Sequence, residues 1–258
     1  MSTAVYWEPG LRIEHDTQVA AAAIVEALDG NGTLIKQSRR TTVRRVGEWA
    51  IKEAAARNPL QRLDLSFRPE RYTKAWDLGL AMRKVGITVP APLAVVSRQG
   101  YGLCSYRATV TAWLEGWQDV EDAARALHAA GADAEAIARF LDGIGVLYTR
   151  LSDAGFQHAD LSGKNIYCKP RETGFEYALI DLDSAEARPV TPEMRFRNAV
   201  QLHDSFCDLW DDDILGPMVL AVMGVPDGDT GTLQRVVNAQ KERRARIEAI
   251  WARQRTPR

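Results

Sequence analysis

Residues 156–183 hold the side chains best suited to chemistry, among them Asp160, Asn165 and Asp181. Asn165–Lys169 and Tyr177–Asp183 read as strand segments around the turn Arg171–Gly174. A hairpin centred near Thr173 sets Asn165 opposite Asp181, since both are equally far from that centre. A carboxylate and an amide oxygen at the open end of a hairpin suit Mg2+, which takes few protein ligands and fills its shell with phosphate oxygens and water. Asp160 stands on the loop entering the same hairpin. It can face a hydroxyl presented to a phosphate. Metal to neutralise charge and a carboxylate to orient the nucleophile make up the chemistry of phosphoryl transfer. Asp and Asn are also ordinary turn residues; the joint spacing is what favours chemistry here.

These residues need elements to hold them. Residues 16–28 (DTQVAAAAIVEAL) read as a helix capped by Asp16 or Thr17 and closed by Asp29-Gly30-Asn31-Gly32. Thr33–Lys36, Thr42–Val46 and Glu48–Lys52 suit strands of a small antiparallel meander, turning at Gln37–Thr41 and Gly47. Residues 70–85 give a helix ended by Gly86, and two prolines keep 87–96 extended. Two further strands suit 93–98 and 102–107. From Asp133 onward Ile137, Phe140, Leu141, Ile144, Leu147, Tyr148 and Leu151 recur at helical spacing, despite Gly143 and Gly145. Residues 191–258 read as helical. A β-rich part followed by a mostly helical part is an α+β plan with two lobes. A break near Leu114–Trp117 divides them, giving 1–115 and 116–258.

Composition narrows the classes. With 258 residues, 46% of them apolar, the chain can bury one sizeable core or two smaller ones. A net charge of −1 gives no global pull toward nucleic acid or an anionic membrane. Charge is uneven, however. Lys36, Arg39, Arg40, Arg44, Arg45, Lys52, Arg57 and Arg62 face only Glu48 and Glu53 between positions 33 and 62. Such runs, like the tail arginines Arg243, Arg244 and Arg246, are ordinarily solvated faces. Cys104, Cys168 and Cys207 form no CxxC pair, which argues against zinc and disulfides and fits a reducing cytoplasm. Glu8, Glu14 and Asp16 stand where a signal peptide would be basic, and no apolar run approaches the ~18 residues of a membrane span. A soluble protein is expected.

The motifs resemble a known superfamily. His158-Ala159-Asp160-Leu161-Ser162-Gly163-Lys164-Asn165 resembles the protein-kinase catalytic loop H-x-D-L-x(3)-N. Leu179-Ile180-Asp181-Leu182-Asp183 is similar to the metal-binding strand end of atypical sugar and lipopolysaccharide kinases. Trp49-Ala50-Ile51-Lys52 matches the strand that ends in a phosphate-binding lysine. Ile35–Val43, Ala75-Trp76, Gly86–Pro92, His158–Leu161 and Phe196-Arg197-Asn198 with Leu202 further resemble the lipopolysaccharide core kinase (Kdo/WaaP) family.

That resemblance implies a protein-kinase-like two-lobe fold, a β-rich nucleotide-covering lobe before a helical catalytic lobe. It implies Asp160 as base, Asn165 and Asp181 as Mg2+ ligands, and Lys52 on the α/β-phosphates of ATP. His158 packs beneath the metal-binding turn, and Asp183 either supports the metal or is a surface carboxylate. Where kinases carry a glycine-rich loop this chain has Ser38-Arg39-Arg40-Thr41, so these side chains clamp phosphate or form a plain surface turn. The partner of Lys52 is open, because the 70–85 helix offers only Glu70 and Asp77 and has Ala75 where some relatives carry Glu. Trp113 and Trp117 read as core or hinge packing.

The expected activity is ATP-dependent phosphorylation of a sugar hydroxyl in the lipopolysaccharide inner core, Kdo or heptose. The site of action is then the cytoplasmic face of the inner membrane, with peripheral contact, and no nucleic acid partner. The basic residues of 36–45 would rim the site and attract an anionic lipid-linked acceptor. Other readings are a kinase of a small soluble metabolite or antibiotic, a protein Ser/Thr kinase, and a non-catalytic pseudokinase-like module. The short path from Asp181 to Pro189, with no A-P-E motif, disfavours a protein kinase.

Overall fold

Period-two burial starts earlier in the chain than expected. Leu11 and Ile13 are buried together with His15, while Arg12 and Glu14 between them are half exposed. That alternation makes strand β2 (Leu11–Asp16), which pairs with β1 (Thr3–Glu8). The first helix therefore begins later than its capping signal suggested: α1 spans Ala21–Asp29, and Asp16 belongs to β2. The computed structural model describes residues 2–38, 41–67, 70–100 and 102–255, leaving out the side chains of 70–72, 251 and 253–255.

Two compact units are present: Met1–Glu115 with Asp181–Asp183, and Gly116–Ile180 with Ser184–Arg258. Three residues of the later sequence thus belong with the first unit. That unit is built on β1, β2, β3 (Thr33–Gln37), β4 (Thr42–Val46), β5 (Trp49–Ala55), β6 (Pro92–Gly100) and β7 (Leu103–Ala112). They form one antiparallel sheet in the order β1-β2-β6-β7-β5-β4-β3.

Each face of the sheet is covered by helix. Ile24, Ala27 and Leu28 of α1 pack on Ile13, Ile51, Val96 and Val110. Arg44 anchors the end of α1 by donating 2.5 Å hydrogen bonds to Leu28 O and Gly30 O, while pairing with Glu53. On the opposite face lie α2 (Pro59–Phe67) and α3 (Glu70–Lys84), where Ala54, Trp76 and Val95 cluster with Leu65 and Leu80. Helix α2 was not anticipated from pattern. Its start is nonetheless well formed: Asn58 Oδ1 accepts from Gln61 N, and Gln61 Oε1 accepts from Arg57 N.

The second unit contains β8 (Gln118–Asp119), α4 (Val120–Ala129), α5 (Ala134–Asp153) and β9 (Phe156–His158). It continues through β10 (Ile166–Arg171), β11 (Gly174–Leu179), β12 (Ala185–Ala187), α6 (Pro192–Phe206), α7 (Asp212–Met223) and α8 (Thr230–Arg255). The apolar stripe of α5 is buried as its period demands, and Asp133 caps the helix by accepting from Ala136 N. Phe140 packs against Phe175, Tyr177, Phe206 and Trp210. Two of the tail arginines are a correction: Arg243 and Arg244 ion-pair with Asp204, and Arg244 also with Asp208, so they tie α8 to α6 and the turn after it, while Arg246 is exposed. No helix among the described residues is long and apolar enough to cross a membrane.

Gly143 has a packing reason. The Tyr177 ring lies across α5, held by its hydroxyl's 2.6 Å bond to Phe140 O, and a Cβ on Gly143 would sit 2.7 Å from Tyr177 Cζ. Gly143→Ala should gain about 1 kcal/mol of helix propensity. It should lose about 1–3 kcal/mol to overpacking against a ring that cannot swing away. The expected result of a thermal melt is a Tm lowered by a few degrees, where an exposed mid-helix Gly→Ala would raise it.

Candidate active site

In the first unit the alternation of β5 decides which way each side chain points. Ile51 is fully buried toward α1, so Lys52 emerges on the other face, as does Ala54 beneath Trp76. Lys52 Nζ lies 2.7 Å from Asp181 Oδ1 and 2.7 Å from Asp183 Oδ2. Burial alone would lower the lysine's pKa. The carboxylates of Asp183 and Asp181 outweigh it and hold the ammonium above the usual lysine value. Asp183, at 14% side-chain exposure, is more enclosed than Asp181 at 35%, and so is the more sheltered partner.

Asp181 is the only non-glycine residue with positive φ (+56°) among those described. Left-handed backbone at an L-residue costs on the order of 1 kcal/mol, least for Asn and Asp. The strain is supported by the ammonium on its carboxylate and by the tight turn Leu182–Ser184 that follows. Gly79 of α3 leaves room there: a Cβ would stand 2.7 Å from Pro92 Cγ and 3.4 Å from Leu182 Cδ1.

Helix α3 offers Lys52 no carboxylate from Asp77, whose own pKa is pushed up by burial and by neighbouring Glu14. The side chain of Glu70 is outside the described residues. Among the described side chains the partners of Lys52 are Asp181 and Asp183. Ser38 closes the β3–β4 turn, its hydroxyl bonded to Thr41 O, N and Oγ1. Arg39 and Arg40 lie outside the described residues. Two other members of the basic cluster are not a solvated rim. Arg44 is committed to Glu53 and α1, and Arg45 to Glu115 (2.6 Å) and the Trp113 ring.

In the second unit, β10 and β11 pair Ile166 with Leu179 and Arg171 with Gly174. The loop has two residues, so the hairpin centre falls between Glu172 and Thr173, not on Thr173. Ile180, donating to Asn165 O at 2.9 Å, therefore stands opposite Asn165 in place of Asp181. Asp160 follows β9, and Asn165 Nδ2 donates to both Asp160 O (2.7 Å) and Asp160 Oδ2 (3.2 Å). Only the amide NH2 can donate to a carbonyl, so the Asn165 oxygen is the atom directed away from Asp160.

The loop between Asp160 and Asn165 is tied down by one face of α6. Asn198 Nδ2 donates to His158 O, Gln201 Oε1 accepts from Leu161 N, and Gln201 Nε2 donates to Ala159 O. Ser205 Oγ accepts from Gly163 N. His158 is fully buried, and its Nδ1 accepts from Asp160 N at 3.3 Å, which leaves the proton of neutral imidazole on Nε2. Gly163 is needed where the loop meets α4, since a Cβ would come within 2.6 Å of Glu121 Cγ. Gln201 and Ser205 were missed in sequence, although their spacing from Asn198 puts all three on one helical face.

The Asp181 carboxylate in the first unit and the Asn165 amide oxygen in the second are each hard donors of the kind Mg2+ takes. Among the described residues no group of three or more His, Cys, Asp or Glu side chains forms a dedicated metal cage.

The model of the lipopolysaccharide kinase (Kdo/WaaP) family matches residues 17–218. A solved structure of WaaP in complex with acyl carrier protein is similar at TM-score 0.62 and 14% identity, over 85% of this chain and 92% of that one. The bifunctional kinase-methyltransferase WbdD is similar at TM-score 0.50 and 16% identity, over 78% of this chain and 47% of that one. Both are likenesses of fold. No curated protein sequence matches the chain.

Gln201→Leu would strip buried Leu161 N–H and Ala159 C=O of their partners at about 1–3 kcal/mol for each orphaned group. Amide exchange at Leu161 and Gly163 should accelerate at least tenfold, while the central turns of α5 keep their protection. Unchanged exchange at both amides would mean that α6 does not hold the loop.

Proposed function

The chain belongs to the lipopolysaccharide kinase (Kdo/WaaP) family, a family of kinases, and on that premise we propose that it transfers the γ-phosphoryl of ATP to a sugar hydroxyl of the lipopolysaccharide inner core. The acceptor is a Kdo or heptose residue of a lipid-linked core, met at the cytoplasmic face of the inner membrane. The supporting observation is a family match that spans Lys52, Asp160, Asn165, Asp181 and Asp183 together.

Each residue then has a task. Lys52 meets the α/β-phosphates. Asp181 and the Asn165 oxygen would hold Mg2+, which when bound neutralises charge on the phosphate oxygens. Asp160, its carboxylate oriented by the Asn165 amide, accepts the proton of the attacking hydroxyl. The acceptor oxygen forms a bond to the γ-phosphorus as the bond to the ADP oxygen breaks, and the proton ends on Asp160. His158, Asn198, Gln201 and Ser205 touch no reacting atom; they hold the loop.

Purified chain incubated with Mg-ATP should add one phosphate to Kdo- or heptose-containing lipid A acceptors, read by mass spectrometry. A phosphate gained only by soluble metabolites or by protein would overturn the acceptor. Free monosaccharides should be poor substrates, lacking the remote binding energy of the lipid-linked core. Asp160→Asn should lower kcat by about 100-fold or more with nucleotide affinity nearly unchanged. Asp181→Asn should instead weaken Mg-nucleotide binding in calorimetry. Full activity in Asp160→Asn would remove it from the base role.

A further inference from the structure

Lys52 holds the carboxylate that the proposed reaction assigns to metal. Its Nζ donates to Asp181 Oδ1 at 2.7 Å and to Asp183 Oδ2 at 2.7 Å. A lysine ammonium has three N–H donors, so these bonds use two of them and leave one. Mg2+ takes carboxylate oxygens at about 2.0–2.1 Å and demands near-octahedral room around itself. A divalent cation on Asp181 would share that carboxylate with an ammonium, and two like charges a few ångströms apart disfavour one another. Cation and lysine therefore compete for Asp181.

The backbone decides which partner moves. Strand β5 lies between β4 and β7, and Lys52 is paired with Val43 on one side and Thr109 on the other. Its Cα is thus fixed in the middle of the ladder, and only the flexible alkyl stem can shift the ammonium. Asp181 is set by its left-handed backbone and Asp183 by the tight turn Leu182–Ser184. Asp183 is also the more enclosed of the two carboxylates. Leaving Asp181 costs Lys52 one hydrogen bond to a group that water can reach. Leaving Asp183 would strip the ammonium from the carboxylate with less access to water, which is the dearer loss. The short path open to the ammonium runs off Asp181 and onto Asp183.

We propose that Lys52 gates its own metal site: it closes Asp181 to free divalent cation, and Asp183 is the positioning residue that keeps the ammonium in place when a nucleotide-borne cation takes Asp181. This rests on the proposed kinase reading, in which nucleotide phosphates meet both Lys52 and metal. Phosphate supplies what free cation lacks. Its negative charge offsets the added divalent charge, and its oxygens accept the N–H that Asp181 gives up. Metal and nucleotide then bind with strong mutual dependence, each raising the affinity of the other by the same factor.

The test uses the full chain, Mn2+ followed by the electron paramagnetic resonance signal of the free ion, and the non-hydrolysed ATP analogue AMP-PNP. Wild type should take up Mn2+ weakly by itself and about tenfold or more tightly with saturating AMP-PNP. Lys52→Met should bind Mn2+ without nucleotide about tenfold or more tightly than wild type, and lose most of the coupling. Lys84→Met removes an equal charge from the exposed end of α3 and should leave Mn2+ uptake unchanged. Asp183→Asn should weaken binding of Mn2+-loaded AMP-PNP about tenfold or more, because the ammonium can no longer leave Asp181 for a second anchor. Metal-free AMP-PNP should bind that variant within about threefold of wild type, which a merely structural Asp183 would not allow. Asp183→Asn keeps one ion pair, so it carries the test even if two uncompensated carboxylates unfold Lys52→Met. Free Mn2+ binding as tightly to wild type as in the presence of nucleotide, or no tighter to Lys52→Met than to wild type, overturns the gate. Equal losses for metal-loaded and metal-free nucleotide in Asp183→Asn overturn the positioning role. Nucleotide binding by wild type with Mn2+ affinity unmoved in Lys52→Met leaves the kinase and removes the gate. Mn2+ uptake opened in Lys52→Met with no nucleotide binding by wild type does the reverse.

Discussion

A single ammonium holds two carboxylates, and much of the first unit is arranged so that it can. Asp181 and Asp183, two residues apart and both within 2.7 Å of Lys52 Nζ, would repel one another if the lysine were elsewhere. The lysine cannot be elsewhere because Ile51 beside it is locked into the α1 face of the sheet. Arg44, Glu53 and Tyr106 consolidate that face, the Tyr106 hydroxyl bonding Glu53 at 2.7 Å. Gly79 leaves space for Pro92 and Leu182, and the left-handed backbone at Asp181 turns its carboxylate toward the ammonium. A local strain of about 1 kcal/mol is small against a charge pair partly withdrawn from water, where the effective dielectric constant is nearer 20 than 80.

The second unit solves a different problem, that of fixing a loop with no ladder of its own. Residues 159–163 lie between β9 and a short helical turn, and their buried backbone groups need partners. Three polar side chains of α6 supply them, so loop conformation is set by Asn198, Gln201 and Ser205 rather than by Asp160. Separating the residues that hold the backbone from the one that projects from it leaves Asp160 open to do chemistry. It also explains polar residues in the buried face of a helix. Each of these makes at least two bonds or bridges two segments, although Asn198 Oδ1 is left buried without a hydrogen-bond partner.

Strands β3 to β7 and the long helix α5 were legible because their signals are local: alternation, paired prolines, an apolar stripe at helical period. The features that were not legible depend on partners far away in sequence. Arg44 and Arg45 read as solvated charge, yet Glu53, Glu115 and the carbonyls of α1 take them up. Arg243 and Arg244 do the same with Asp204 and Asp208. The β1–β2 hairpin was hidden by a plausible cap at Asp16 and an alanine-rich run, which together favoured a helix too early. The hairpin after Asn165 was expected in the right place but half a residue off centre, and in a strand that shift exchanges which side chain stands opposite. The motifs survived this error because they are spaced along the chain, independent of register.

Sharing a lysine between two carboxylates also bears on how such a site tolerates a divalent cation. One ammonium against two carboxylates leaves a formal charge of −1 in that group. In the proposed reaction Asp181, the more exposed carboxylate, is the one directed to metal, and Asp183, the more enclosed, remains with Lys52. Lys52 then keeps Asp183 as its anchor, while Asp77 stands exposed beside Glu14. Because Asp183 lies two residues from Asp181, that anchor arrives on the same turn as the metal ligand, and backbone strain at Asp181 orients both.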